Sequence, residues 1–365
     1  MLGPHMTGSE IWSTTIITLS FTQTYLLHAL FSISALHLAH LHFTNTSEEQ
    51  QDLAEKYYHI ATIYHTKCIT SYRREIERLA ANNSAACVAC AALLGLFAWA
   101  TPGARGADLF FPAEPLTSAP FDEHKMSPTI KSSPSRSTAS QPSSKAVPWY
   151  KIHRGGHHII SNSHNWISES IYHEIIDPWQ EISYFHTDRT SSCSNASSLS
   201  PNDAVQLSAL SACWTDISHT TGSDIHLSDE DIQALDETLQ TLHYIFRLPS
   251  ISEPRNTETL FPSPSTSASN IPLPQPEFKI SAGIATLSWT IFIPSHFCDM
   301  VEDRVPQALI LVAVYCVVLK RAEDLWYIKG KAESLLHAVE RELRLKGGGE
   351  WERWLEWPKL EVRVS

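Results

Sequence analysis

Three stretches of this chain are apolar on nearly every side when wound as helices: Tyr25–Phe43, Ala85–Ala100 and Gln307–Leu319. A surface helix keeps a polar face, so segments without one belong in the middle of a helical core or in a membrane. Between Arg78 and Arg105 no residue carries a formal charge, yet the apolar centre, Ala85–Ala100, is sixteen residues long. Crossing a bilayer takes about 20 residues. This centre is also Ala-rich and ends abruptly at Thr101-Pro102-Gly103, so it is predicted to be a buried helix and no membrane span is expected.

The rest of the pattern is helical too. Ser47 opens a helix with Glu48, Glu49 and Asp52 near its positive end, predicted to run to about Leu79. Leu207, Leu210, Trp214 and Ile217 form a one-sided stripe. Ser228 with Asp231 reads as a capping box, and Ile232, Leu235, Leu239, Leu242 and Phe246 follow at 3-4 spacing. Pro306 suits a first helical turn, and Lys320-Arg321 suits the last turn of the same helix. A final long helix is predicted from about Trp326 to Leu345, stopped by Gly347-Gly348-Gly349 and followed by a tail carrying Trp351, Trp354 and Trp357. No strand alternation appears. The predicted fold class is all-α, a helical bundle.

Ser, Pro and Thr crowd residues 102–148 and 249–277. Such composition buries too little apolar surface to offset the entropy of ordering, so both are predicted to be disordered linkers, with a smaller one over Thr187–Pro201. The predicted organisation is therefore N-terminal helices over 1–101, middle helices over 149–248 and C-terminal helices over 278–365, folding as one domain. Seven cysteines in 365 residues make no disulfide framework and suggest a reducing compartment. A net charge of −12 opposes binding to phosphate backbones, and no local basic module is present. The first thirty residues have no basic n-region of a secretory signal.

Chemistry-bearing motifs are few. There is no Gly-x-Ser-x-Gly, no phosphate-cradling glycine loop and no His-Glu-x-x-His, so no enzyme is expected. Among nineteen histidines the densest group is His153, His157, His158 and His164. His153 and His157 share a helical face, and with Glu169 or Glu174 they could hold zinc. A helical metal-dependent enzyme built on this cluster is one alternative reading. The competing one is a set of surface or interfacial histidines, with Gly155-Gly156 fraying the helix. Cys87-x-x-Cys90 lies in the apolar helix with no second pair, and reads as buried structural cysteines. His28, His37, His40 and His42 read as core or boundary histidines.

The run Trp12…Leu19-Ser-Phe21…Tyr25-Leu-Leu-His-Ala-Leu30…Ile33-Ser-Ala-Leu-His-Leu-Ala39 resembles the opening of the C-terminal regulatory domain of fungal zinc-cluster (two zinc, six cysteine) transcription factors, in the branch of the sterol uptake control protein. Further likeness follows in the family's order. It runs through Tyr57, Ala61, His65, Tyr72-Arg73 and Asn82-Asn83, Trp149-Tyr-Lys-Ile-His-Arg-Gly155, Arg304-Val-Pro-Gln-Ala-Leu309, Tyr315, Trp326…Gly330 and Trp357-Pro358. Polar substitutions around His153–His164 depart from the family. So does the lack, within these residues, of the six-cysteine cluster and the basic stretch that contact DNA.

The resemblance implies a ligand-sensing regulatory domain controlling RNA polymerase II transcription. Such a domain acts in the nucleus or shuttles with the cytoplasm, and contacts DNA, and needs zinc, only through a module absent from this chain. It implies an apolar cavity for a sterol or other lipid, with Trp289, Phe292, Phe297, Val312 and Tyr315 as candidate lining residues. Homodimerisation is expected through apolar faces beside Trp351, Trp354 and Trp357. A plain protein-interaction module is the remaining alternative.

Overall fold

The computed structural model describes residues 11–43, 47–101, 105–111, 147–179, 199–215, 227–252 and 280–363, and contains no strand among them. After a π-helical turn, Ile11–Thr15, the helices are α1 (Ile16–Ser20), α2 (Thr24–Phe43), α3 (Glu48–Ile76), α4 (Ser84–Ala100), α5 (Trp149–Ile167), α6 (Pro201–Ala209), α7 (Ala212–Thr215), α8 (Asp229–Arg247), α9 (Pro249–Ser252), α10 (Ala282–Phe292), α11 (Ser295–Glu302), α12 (Pro306–Arg321), α13 (Lys331–Leu345) and α14 (Glu352–Arg363). The fold is all-α, as the periodicity predicts.

At the centre is α12. Every residue from Pro306 to Leu319 is buried, which is where a helix without a polar face has to go. Around it stand α8, α10, α11, α13 and α14. The N-terminal helices form a second group: α3 lies along α2, and α4 packs on both α2 and α5. The two groups meet where α5 contacts α10, and one apolar core runs without a break from Ile11 to Val362. Truncating a fully buried leucine such as Leu309 or Leu311 to alanine in such a core costs about 2–5 kcal/mol. Of the described helices, α2 is the one long and apolar enough by length and composition to cross a membrane, and its inward face is part of this core.

Polar bonds fix the ends of the elements. The predicted capping box is complete: Asp231 N donates to Ser228 Oγ (3.2 Å) and Ser228 N to Asp231 Oδ2 (2.7 Å). At the start of α6, Asp203 N donates to Ser200 Oγ, and the Asp203 carboxylate takes both guanidinium nitrogens of Arg321 from the end of α12, each at 2.8 Å. A 3-10 turn, Gly106–Leu109, reaches across the chain to α13, where Gly106 N donates to Ser334 Oγ at 2.6 Å. A Cβ on Gly106 would lie 1.9 Å from the Lys331 carbonyl oxygen, so only glycine permits this approach. Lys331 itself is buried, its ammonium 5.7 Å from the centre of the Trp149 ring.

Several expectations need correction. The proposed linker over 102–148 contains ordered, buried residues, among them Leu109, Phe110 and Phe111; residues 102–104 and 112–146 of it lie outside the described residues. The second proposed linker, 249–277, begins with ordered α9, and its part from 253 onward lies outside them, as does 187–198 of the smaller one. The stripe from Leu207 divides into α6 and α7, and Ile217 falls outside the described residues. The last long helix starts at Lys331, not Trp326, because Gly330 takes a left-handed φ of 73° that interrupts helical winding. Gly155-Gly156 do not fray α5; the helix runs through them, and a Cβ on Gly156 would sit 3.8 Å from Ala91, so the small residues let α4 and α5 approach. The tryptophan-rich tail is helix α14. Trp351 and Trp357 are buried, Trp357 against Phe246 at 5.8 Å, and the half-buried Trp354 packs on the core, while Leu360 on the same helix is exposed.

Candidate functional site

A cleft, open to solvent at its mouth, lies between α4, α5 and α10. Each helix contributes the side that faces the others. From α4 come Val88, Ala91, Ala92, Gly95 and Leu96; from α5 Ile152, His153, Gly156, His157 and Ile160; from α10 Gly283, Ile284, Leu287 and Ile291. The recurrence at three and four residues is the helical repeat. Trp12, Trp179, Trp326 and Tyr327 add aromatic walls, and Glu174 adds the one carboxylate of the lining. The space exists because the walls are built from small residues: where larger side chains would interdigitate, Ala91, Ala92, Gly95, Gly156 and Gly283 leave room.

The polar group deepest in this wall is His153. Trp99 Nε1 donates to its Nε2 at 2.7 Å, and its Nδ1 lies 3.0 Å from Thr290 Oγ1. An indole can only donate, so Nε2 is the acceptor and Nδ1 carries the proton toward Thr290, whose hydroxyl in turn donates to the Leu287 carbonyl at 2.9 Å. Both ring nitrogens are committed, and burial pushes the imidazole down to about 3, so it is neutral in ordinary conditions. This relay ties α4, α5 and α10 together behind the cleft. His157, four residues on, is held below the ordinary histidine range by burial, with help from His158 and Arg154, and meets Phe292 edge-on at 5.1 Å. Arg154 fastens α5 to the next turn, donating to the Ile293 carbonyl (2.6 Å) and to Ser295 Oγ (2.8 Å).

The proposed histidine cluster does not converge. His153 is enclosed, His158 is exposed, and His164 Nδ1 lies 3.5 Å from Asn165 Oδ1. Among the described residues no three His, Cys, Asp or Glu side chains come together in a way that could hold a metal ion. Cys87 and Cys90 are buried, and burial raises both thiols; Cys87 meets Tyr25 Oη at 3.5 Å and Cys90 meets Cys68 at 3.4 Å. The α2 histidines make ring contacts: His28 with Tyr64, His37 and His40 with Trp326, His42 with Tyr57.

The candidate pocket residues lie elsewhere. Trp289, Phe297, Val312 and Tyr315 are fully enclosed. Trp289 stacks on Tyr315 at 4.1 Å and meets Phe297 and Phe110 edge-on, while Tyr315 Oη donates to the Thr286 carbonyl at 2.8 Å. Phe292 is half-buried beside His157 and does not line the cleft either. Trp289 and Ile291 sit on the same helix, α10, but on different sides: one turns into the core, the other into the cleft. The signal that could have located the cleft is the spacing of Ala91, Ala92 and Gly95 and of Gly156 on two helices that also carry large apolar residues.

Residues 2–108 match the family described as "Fungal specific transcription factor domain". A "Zn(2)-C6 fungal-type transcription factor" of Gibberella zeae is 28% identical over 81 residues, which is 22% of this chain and 15% of that relative, so the chain covers far less than two thirds of the relative's length. No solved structure matches.

Proposed function

We propose that this chain is the regulatory part of a fungal transcription regulator of the zinc-cluster type, controlling RNA polymerase II transcription in response to an apolar small molecule held between α4, α5 and α10. The regulatory half of the reading rests on the match of residues 2–108 to the fungal transcription factor domain. The ligand half rests on the cleft, whose walls are apolar apart from His153, His157 and Glu174, the lining that suits an apolar small molecule. DNA contact, and the zinc it needs, belong in this reading to a zinc-cluster module, and the site of action is the nucleus, with passage through the cytoplasm.

A ligand in this cleft touches α4, α5 and α10 at once, so it favours whichever arrangement keeps those three together. It shifts the population of the regulator only as far as it prefers that arrangement. Tryptophan fluorescence reports occupancy directly, because Trp12, Trp179 and Trp326 are in the walls. Titration with ergosterol and with long-chain fatty acids is expected to give a saturable change for at least one of them. Ala92→Trp, which adds bulk at an exposed position on the cleft wall, is expected to remove that change and leave the circular dichroism spectrum intact. Absence of any saturable response across the panel refutes the ligand half. Failure of the chain, fused to an unrelated DNA-binding domain, to alter transcription of a reporter in a fungal cell refutes the regulatory half.

A further inference from the structure

Glu174 is out of keeping with the rest of the cleft. It is half-buried in a wall that is otherwise apolar but for His153 and His157, and among the described residues no hydrogen bond or ion pair reaches its carboxylate. Asp177, three residues on, is different: it lies 2.8 Å from His173 Nδ1 and is not part of the lining. Nothing in the lining offsets the charge of Glu174. No lysine or arginine is among the lining residues, and Arg154 on the adjoining α5 is spent on the Ile293 carbonyl and Ser295 Oγ. His153 has both ring nitrogens committed, and burial lowers His157, so neither adds a positive charge near neutral pH. The cleft is greasy and carries one uncompensated negative charge.

We propose that the ligand of this cleft is an amphiphilic amine, an apolar body ending in an ammonium group that Glu174 binds. The inference builds on the cleft being a ligand site and adds the chemistry of what occupies it. A molecule that fills the cleft displaces the water that solvates Glu174 at the mouth, and a carboxylate stripped of water is costly unless a donor replaces it. A fatty acid would set a second negative charge against the first, in surroundings that screen the repulsion poorly. A hydroxyl, as on a sterol, donates one neutral bond. An ammonium donates a charge-assisted bond, roughly twice as strong, and cancels the charge as well.

The aromatic walls point to the same head group. Trp12, Trp179, Trp326 and Tyr327 belong to this lining, and Trp179 follows Glu174 by five residues on the same short segment. A ring face attracts an organic cation, tryptophan most strongly, so a carboxylate among aromatic rings with no basic residue is the chemistry of cation recognition. The apolar body has its place too, against Ala91, Ala92 and Leu287 of α4 and α10. A metal ion does not fit the same charge, because among the described residues no three ligating side chains converge. The chain's net charge of −12 also raises the local concentration of cations and lowers that of anions, which favours an amine over a carboxylate before either reaches the cleft.

Titrating the full chain near neutral pH with dodecylamine, dodecanol and dodecanoate, each below its micelle-forming concentration, isolates the head group, and tryptophan fluorescence reads the binding. Dodecylamine is expected to bind about tenfold or more tightly than dodecanoate, with dodecanol between them. Glu174→Gln keeps the shape and removes the charge; it is expected to weaken dodecylamine about tenfold, a change of about 1.4 kcal/mol, and to strengthen dodecanoate. Glu356→Gln, exposed on α14, is expected to alter none of the three, which separates the cleft from attraction to an acidic surface. Dodecanol or dodecanoate binding as tightly as dodecylamine overturns the proposal and leaves the cleft a ligand site of another preference. An unchanged dodecylamine affinity in Glu174→Gln, or an equal loss in Glu356→Gln, overturns it as well. So does silence toward all three, and the ligand reading falls with it only if ergosterol and the long-chain fatty acids are silent too.

Discussion

Replacing Asp203 with asparagine tests whether the middle of the chain is held to the central helix by charge. In the folded protein the Asp203 carboxylate is 1% exposed and takes two parallel bonds of 2.8 Å from Arg321, a geometry that binds roughly twice as strongly as a neutral pair. The asparagine side chain would keep the shape but lose the charge and one acceptor, leaving the guanidinium with Glu361 at 3.5 Å and the Phe246 ring at 5.0 Å. Removing one member of a buried ion pair costs about 3–5 kcal/mol. Glu361 and the 22% exposure of Arg321 place this case at the low end, about 3 kcal/mol. Against a total stability of about 5–15 kcal/mol that is a large fraction, and it corresponds to a fall in Tm of roughly 6–12 °C for a domain of this size. Urea unfolding followed by circular dichroism measures it, together with the cycle of Asp203→Leu, Arg321→Met and the double variant Asp203→Leu/Arg321→Met. The double variant is expected to be more stable than the sum of its parts, because no charge is left stranded. A loss below about 1 kcal/mol in Asp203→Asn, or simple additivity in the cycle, refutes the reasoning.

Gly106→Ala puts a methyl group 1.9 Å from the Lys331 carbonyl oxygen, where backbone has to move. It is expected to cost about 1–3 kcal/mol or more in thermal unfolding, while Gly349→Ala, with nothing within 4 Å, changes little. Lys331 is lowered to about 8 by burial, with Asp108 pulling back the other way. The unfolded chain therefore holds its proton up to higher pH than the folded one, so stability is expected to rise as pH climbs from about 8 to about 10.5, by up to roughly 3 kcal/mol. Lys331→Met is expected to flatten that rise and to unfold at higher denaturant at pH 7; an unchanged slope contradicts the assignment.

The sequence reveals α8 almost to the residue, because Ser228, Asp231 and the apolar 3-4 spacing all act locally. Pro306 marks the start of α12 in the same way. What local pattern cannot carry is how helices meet. Gly155-Gly156 costs helix propensity in isolation, yet α5 runs through both, with Gly156 set against Ala91 and His153 set against Gly95, and the packing prevails. Gly106 looks like part of a flexible tether until Lys331 and Ser334, far along the chain, are set beside it. The cleft is hard to see in the sequence for a related reason. Aromatic side chains such as Trp289 and Tyr315 suit a pocket wall, but their bulk fills space, and here they fill the core. The opening belongs to residues too small to attract notice.

The bond from Gly106 to Ser334 spans 228 positions of sequence, and it has a cost in time. On a ribosome adding about 5–20 residues per second, the N-terminal helices wait some 10–50 s before α12 and α13 emerge to receive them. Throughout that interval α2 and α4, the greasiest helices of the first hundred residues, have no finished core to enter. Over that interval their apolar faces are exposed surface of the kind that favours aggregation, a liability that the finished packing removes.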